Sequence, residues 1–290
     1  MRTVVIIGGG ASGMAAAISA SEDKQNRVIL LERQQRVGKK LLSTGNGRCN
    51  LTNTGARLEN YHGAQPDFPA AVLSRFTPED TLRFFDSLGL TVSLEYGGRV
   101  YPQSNSANSV VDVLRFALLR DNISVRTACP VRGIEKRGEG FAVKTDEGEI
   151  RADRVIVSCG GAAGTKVGGV TDGYELLKPL GHKCTKIRPS LVQLITDPTY
   201  PRALKGVRVN AKTALECGGS IVAESAGELQ FTETGVSGPA AFDISRAASE
   251  NGRGVIHIDL SGGADIEGKL RRRIAANPEL GAEDILTGVL

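Results

Sequence analysis

Val4-Val5-Ile6-Ile7-Gly8-Gly9-Gly10-Ala11-Ser12-Gly13 decides how this chain is read. Four consecutive β-branched residues predict a strand buried on both faces, as in a parallel sheet. Glycines follow at once, and alanine-rich helical sequence follows them. Gly8, Gly10 and Gly13 have the spacing of a dinucleotide-binding turn. Gly8 lets the chain turn, Gly10 lets a pyrophosphate approach the backbone, and Gly13 lets helix and strand pack closely. The helix then presents free amides and the positive end of its dipole to the phosphates.

Glycine-rich turns are common, so the surrounding sequence has to agree. A second strand should end in an acid able to bond a ribose, and Arg27-Val28-Ile29-Leu30-Leu31-Glu32 supplies it. A carboxylate at Glu32 accepts from free ribose hydroxyls and repels a 2′-phosphate. The expected ligand is an FAD-type or NAD-type adenosine rather than NADP.

The 290 residues suffice for one large or two ordinary cores. A net charge of +4 with scattered basic residues does not imply nucleic acid, and Arg271-Arg272-Arg273 reads as the solvated face of a helix. The five cysteines (Cys49, Cys129, Cys159, Cys184, Cys217) have neither C-x-x-C nor metal-ligand spacing, so no metal site is expected. The apolar run after Arg2 is too short for a signal peptide and no later stretch would span a bilayer, making cytoplasm the expected compartment.

Further along, Leu41-Leu42-Ser43-Thr44-Gly45-Asn46-Gly47-Arg48-Cys49-Asn50 is small and polar. Such a stretch suits either a loop wrapped on a ligand or a plain surface loop. Residues 54–122 read as a partly helical excursion. Thr77-Pro78-Glu79-Asp80 starts a helix that turns Leu82, Phe85 and Leu88 inward and stops at Gly89. A hairpin over 90–102 turns at Tyr96-Gly97-Gly98, and a helix from Ser106 carries Val110, Leu114, Ala117 and Leu118 on one side. Strands follow at 123–126, 131–136, 141–145 and 149–157, the last leading into Cys159-Gly160-Gly161, which lacks the spacing of a second dinucleotide turn. A helix spans 171–181. Beyond Arg188-Pro189-Ser190 the pattern becomes alternating, with strands at 191–195, 207–215, 220–223, 229–232 and 254–259. Gly235 to Pro239 opens a helix over 239–250, and another spans 264–276. The predicted domains are 1–187 and a β-rich 188–290.

Several of these blocks together resemble the BaiN/YhiN-like FAD-dependent oxidoreductases, also known as aminoacetone-oxidase-like flavoproteins. The resemblance is carried by Val5 to Gly13, by Gly38-Lys39-Lys40-Leu41-Leu42 leading into Thr44 to Asn50, and by Gly98-Arg99-Val100-Tyr101-Pro102. Cys159-Gly160-Gly161, Thr171-Asp172-Gly173-Tyr174, Arg188 to Val192 and Thr234 to Pro239 also carry it. It implies an α/β fold: a Rossmann-like, doubly wound FAD-binding domain with a β-rich inserted domain on the substrate side. It assigns Gly8, Gly9, Gly10, Ala11, Ser12 and Gly13 to the FAD pyrophosphate, Glu32 to the adenosine ribose, and the Val131 backbone to the adenine. Thr44, Gly45, Asn46, Gly47, Arg48, Cys49 and Asn50 would follow the ribityl chain and isoalloxazine, Cys159, Gly160 and Gly161 would pass near the dinucleotide, and Arg33, Lys39, Lys40, Leu41 and Ser43 would be further cofactor contacts. Members of that family return to the FAD domain with a closing strand and a glycine-rich flavin-contacting segment. That segment is expected to be missing here, because the sequence ends at Ile285-Leu286-Thr287-Gly288-Val289-Leu290, within what resembles the insertion.

The expected activity is hydride transfer between a nicotinamide or amine donor and a small organic substrate or oxygen, with FAD as cofactor and NADH or NADPH as transient donor. An NAD-dependent dehydrogenase and a non-catalytic FAD-binding protein are the alternatives. A flavin-dependent RNA-modifying enzyme would need a concentrated basic face, which the sequence lacks. No catalytic residue and no oligomeric state is assigned. Cys49 reads better as a packed residue than as a redox group. His62, His182 and His257 show no acid partner in the sequence. Arg99 and Tyr101 suit a contact with an anionic or carbonyl substrate, and a hairpin salt bridge for Arg99 and a packed ring for Tyr101 explain them as well.

Overall fold

The computed structural model describes residues 1–63 and 65–288; Val289 and Leu290, the end of the sequence, lie outside them. The chain divides into two compact units, with the boundary between Cys184 and Thr185, a few residues before Arg188.

In the first unit β1 (Arg2–Ile7), α1 (Ala11–Ala20) and β2 (Asn26–Leu31) form the expected strand–turn–helix–strand. The small sheet β3 (Thr52–Asn53), β4 (Val92–Glu95) and β5 (Arg99–Pro102) and the helices α2 (Ala70–Leu73), α3 (Pro78–Ser87) and α4 (Ala107–Ala117) fill the excursion. Then come β6 (Ile123–Arg126), β7 (Val131–Arg137), β8 (Gly140–Thr145), β9 (Gly148–Ala152), β10 (Arg154–Val157) and α5 (Asp172–Leu177). β10, β1, β2 and β6 lie in that order in a parallel sheet.

Alternation along the strands sends side chains to two cores. Val4, Ile6, Val28 and Leu30 meet Met14 and Ile18 of α1 and Val110 and Leu114 of α4. Val5, Ile7, Ile29 and Leu31 meet Ile134, Val143 and Ala152 of the antiparallel β7–β8–β9 sheet, with Leu176 of α5. Burying such side chains contributes about 1.5–3 kcal/mol apiece, which explains why β1 and β2 read as unbroken apolar runs. The fold of this unit is thus a Rossmann-like α/β layer with antiparallel sheets added.

The excursion follows its local signals. Thr77 caps α3, its side chain accepting from the Asp80 amide while Asp80 accepts from the Thr77 amide. Phe84 joins Phe85 and Leu88 against the core, the two rings edge to face at 5.2 Å. Leu82 does not join that cluster, because the helix turns its 84–88 edge inward. The 90–102 hairpin forms with its turn at Tyr96–Gly98. Residues 149–157 differ from expectation. Asp153 separates β9 from β10, its carboxylate accepting from the Thr3 amide at 2.7 Å, so one apolar run serves two sheets.

The second unit contains β11 (Leu194–Ile195), α6 (Thr199–Ala203), β12 (Arg208–Cys217), β13 (Ser220–Thr232), β14 (Gly235–Ser237), α7 (Pro239–Asn251), β15 (Val255–Asp259), α8 (Ile266–Ala276) and α9 (Ala282–Leu286). An antiparallel sheet ordered β11-β14-β13-β12-β15 packs Ala211, Leu215, Leu229 and Phe231 against Ala240, Ala241, Ile244 and Ala247 of α7. Two expected strands, 220–223 and 229–232, are one continuous strand. The ladder to β12 carries the intervening Glu224 to Glu228 despite their low strand propensity. Residues 235–237 form a strand before the helix rather than the opening of the helix.

Candidate dinucleotide site

β1 ends in the glycine turn, where Gly8 and Gly13 are each required by a different neighbour. Gly8 has φ +106°, and a Cβ there would come within 2.5 Å of the Ser158 carbonyl oxygen. At Gly13 a Cβ would lie 1.8 Å from the Gly8 carbonyl oxygen, so helix and strand close up through a hydrogen-sized gap. Gly10 is the opposite case. A Cβ there would meet nothing within 4 Å, so it would project into open space at the N-terminus of α1. No side chain caps that terminus, which leaves its first amides for another acceptor.

Glu32 lies one residue past β2. Its Oε2 accepts from the Gly9 amide and its Oε1 from the Gln34 amide, both at 2.7 Å. The Gly38 amide donates to the Gly9 carbonyl at 2.8 Å, folding the basic 33–40 loop back over the turn. From that loop Arg33 reaches Asp172 at 3.2 Å and the Gly168 carbonyl at 3.2 Å. The Lys40 ammonium donates to the carbonyls of Ala163 at 3.0 Å and Gly161 at 3.3 Å.

These segments border one cleft of about 420 Å³. Of the residues expected at the cofactor, Gly8, Gly9, Gly10, Ala11, Ser12, Glu32, Arg33, Lys39, Lys40, Leu41, Thr44, Val131, Cys159 and Gly160 line it. Gly13 lies beneath it as packing, and Gly161 borders it through its carbonyl on Lys40. Ser43, Gly45, Asn46, Gly47, Arg48, Cys49 and Asn50 are not in its wall. Sequence reading missed Gln34, Pro130, Arg132, Ser158, Val167, Gly168 and Asp172, which do line it. The Thr171-Asp172-Gly173-Tyr174 block was the available signal. Gly173 packs on Cys159, since a Cβ there would lie 3.0 Å from the Cys159 Cβ, and a Cβ at Gly161 would lie 2.8 Å from the Tyr174 hydroxyl oxygen.

Residues 41–50 are built rather than slack. Thr44 is extended, and Gly45, Asn46 and Cys49 have φ of +54°, +56° and +62°. A left-handed residue other than glycine costs about 1–3 kcal/mol unless its surroundings impose it. Here the Cys49 amide donates to the Thr44 carbonyl at 3.0 Å. The Arg48 guanidinium sits 3.9 Å above the Tyr101 ring, bonds Asn105 Oδ1 at 2.8 Å and pairs with Glu95. Tyr101 is therefore a packed platform, and Arg99 turns to the Tyr96 carbonyl.

Three cysteines in or near the cleft resist ionisation: Cys129 and Cys159 in its wall and Cys49 in the adjoining loop, each raised mainly by burial. Burial pushes the Cys159 thiol up to about 11, with Glu32 and Asp172 adding to the effect. Burial also raises Cys49, opposed by its contact with Thr44. A thiol that stays protonated is a packing residue, in line with the sequence reading of Cys49. His257 does have an acid partner, contrary to expectation. Its Nε2 lies 2.8 Å from Glu216 Oε2 across β12 and β15, in the second unit. Among the described residues no cluster of three or more His, Cys, Asp or Glu could hold a metal ion, and no helix is long and apolar enough to cross a membrane.

A strand, a three-glycine turn and an acid at the next strand's end around one cleft are the parts of a dinucleotide-binding Rossmann layer. Residues 2–268 match the family model described as the HI0933-like protein Rossmann domain. The chain belongs to the HI0933-like family. A 3-dehydro-bile acid delta(4,6)-reductase of Clostridium scindens is 42% identical over 247 residues, covering 85% of this chain and 60% of the reductase. The chain therefore spans less than two thirds of that relative. A ribosomal RNA dihydrouridine synthase of Escherichia coli is 27% identical over 285 residues, 97% of this chain and 69% of the synthase. Among solved structures, the open conformation of a flavocytochrome c3 fumarate reductase aligns with a TM-score of 0.48 at 18% identity, over 72% of this chain and 47% of that one.

Proposed function

We propose that this chain is the dinucleotide-binding part of an FAD-dependent oxidoreductase. It would take reducing equivalents from NADH or NADPH and saturate an activated carbon–carbon double bond in a small organic molecule. Residues 1–187 would hold the cofactor, and the β-rich residues 188–290 would serve the substrate.

The observation that carries this reading is the contrast between Gly10 and Gly13. One faces open space and the other is sealed against Gly8, as a pyrophosphate resting on the N-terminus of α1 requires. The residues present fit FAD. Free amides at the start of α1 suit the pyrophosphate. Each Glu32 oxygen accepts one amide and retains a lone pair for a ribose hydroxyl. The backbone at Val131 suits the adenine, and Cys159 and Gly160 line the same wall. When bound, FAD supplies the two-electron hydride chemistry. The protein's own part is to fix the phosphates, to exclude a 2′-phosphate at Glu32, and to hold the 41–50 loop in shape.

The substrate class is supported by the relatives. The Clostridium scindens protein is named for reducing ring double bonds of a bile acid, and the Escherichia coli protein for making dihydrouridine. Both names describe saturation of a ring double bond.

Purified protein titrated with FAD should give a yellow, protein-bound chromophore. Anaerobic NADH or NADPH should bleach it, and an α,β-unsaturated cyclic ketone should restore the colour. Absence of FAD binding overturns the reading. Bound flavin that no nicotinamide reduces favours a non-catalytic FAD protein, bleaching by an amine points to an amine donor, and recolouring only by a uridine-containing RNA points to the other relative's substrate.

A further inference from the structure

The 41–50 loop has one end in the cleft and the other outside it. Leu41 and Thr44 line the cleft, whereas Arg48 is directed to the β4–β5 hairpin. Between them the backbone passes through left-handed conformations at Gly45, Asn46 and Gly47, and a fourth follows at Cys49. Two internal hydrogen bonds close this path, Arg48 amide to Gly45 carbonyl at 3.2 Å and Cys49 amide to Thr44 carbonyl at 3.0 Å. Two short bonds do not by themselves fix Asn46 and Cys49, the two residues other than glycine held left-handed.

Leu41 and Cys49 seat the loop in the core and the Thr44 hydroxyl donates to the Leu41 carbonyl, and a further restraint comes from Arg48, which ties the loop to the hairpin. Arg48 stacks on the face of Tyr101, donates to Asn105 and pairs with Glu95. Its partners stand at three points of the hairpin and its exit, and Tyr101 is itself buried. An isolated ion pair this exposed contributes little. A planar guanidinium that stacks and bonds together fixes both position and orientation, which a lysine cannot reproduce. Gly45 completes the fit. A Cβ there would lie 3.2 Å from Tyr101 Cε1 and 2.9 Å from the Asn50 amide nitrogen, so only glycine lets the loop settle on the ring.

We infer that Arg48 is a positioning residue: its seat on Tyr101, Glu95 and Asn105 holds the 41–50 loop so that Leu41 and Thr44 keep their place in the wall of the cleft that would take the flavin. This rests on the FAD reading above. Arg48 touches no cleft atom and acts through the loop it anchors.

The test compares wild type with Arg48→Lys, Arg48→Ala and Glu95→Gln, using two readouts that do not depend on turnover. In FAD-free protein, amides 44–50 should exchange with deuterium roughly tenfold faster in both Arg48 variants, with β1 and α1 unchanged. With FAD, the same variants should bind ~10-fold more weakly, and the absorption and fluorescence of bound flavin should move toward those of free flavin. Glu95→Gln, which keeps the stack, should show a smaller change in both. Unchanged exchange overturns the anchor. Faster exchange with wild-type flavin spectra and affinity overturns the link between loop and flavin. If Arg48→Ala fails to fold, Arg48→Lys and Glu95→Gln decide. Should wild type bind no FAD, the functional reading falls with the flavin half of this inference, and exchange alone judges the anchor.

Discussion

The glycine turn and the 41–50 loop are both small, polar-ended segments rich in glycine, yet they are held by different means. The turn is fixed by main-chain crowding: Gly8 against Ser158, Gly13 against Gly8, and the Gly9 amide on Glu32. Its shape follows from which residues lack a Cβ. The loop is held by side chains: Leu41 and Cys49 in the core, and the Arg48 cation resting on a ring more than fifty residues away in sequence. Removing the Arg48 side chain should therefore loosen the loop, whereas adding a side chain at Gly8 or Gly13 should break the turn.

Gly13→Val should have the largest effect. Its branched side chain would occupy space already filled 1.8 Å away by the Gly8 carbonyl, and overpacking of this kind costs about 1–3 kcal/mol or more. A fall of many degrees in melting temperature, or insoluble protein, is expected; a wild-type melt would break the comparison. Gly10→Val comes next and separates folding from binding. Gly10 has an ordinary extended backbone (φ −78°, ψ −169°) and open space where the side chain would go. Thermal stability should hold within about 0.5 kcal/mol, while FAD titration should show binding lost. Stability lost together with binding would mean that Gly10 is packing as well. The smallest effect belongs to Asn46→Gly, which relieves a left-handed residue in the loop. A gain of up to about 1 kcal/mol in denaturant stability is expected, and a loss would show that the Asn46 side chain itself supports the loop.

The same contrast explains what was legible in the sequence. β1, the turn, α1 and the acid at Glu32 are written in adjacent residues, and so are the Thr77 cap and the Tyr96–Gly98 hairpin turn. Each depends on propensity and spacing within one or two turns of chain. The assignment of residues 149–157 to two sheets was not legible, because it depends on Asp153 meeting the Thr3 amide 150 positions away. The strand from Ser220 to Thr232 was hidden likewise, its weak middle held by a partner strand. In the site, Asp172 and Gly168 become visible only when Arg33 reaches them. Residues 43 and 45–50 were expected along the ligand, and the fold puts Arg48 on Tyr101 instead of in the cleft wall.

Glu32 has a consequence for redesign. Both of its oxygens hold amides of the segments it serves, Gly9 on one side and Gln34 on the other. The group that would choose between a bare ribose and a phosphorylated one is thus also a strut of the turn that would carry the phosphates. Exchanging it for a cation to recruit a different nucleotide would strip two amides of their acceptor at the same stroke. Nucleotide preference in this protein is therefore not a detachable module, and altering it requires a new acceptor for the Gly9 and Gln34 amides.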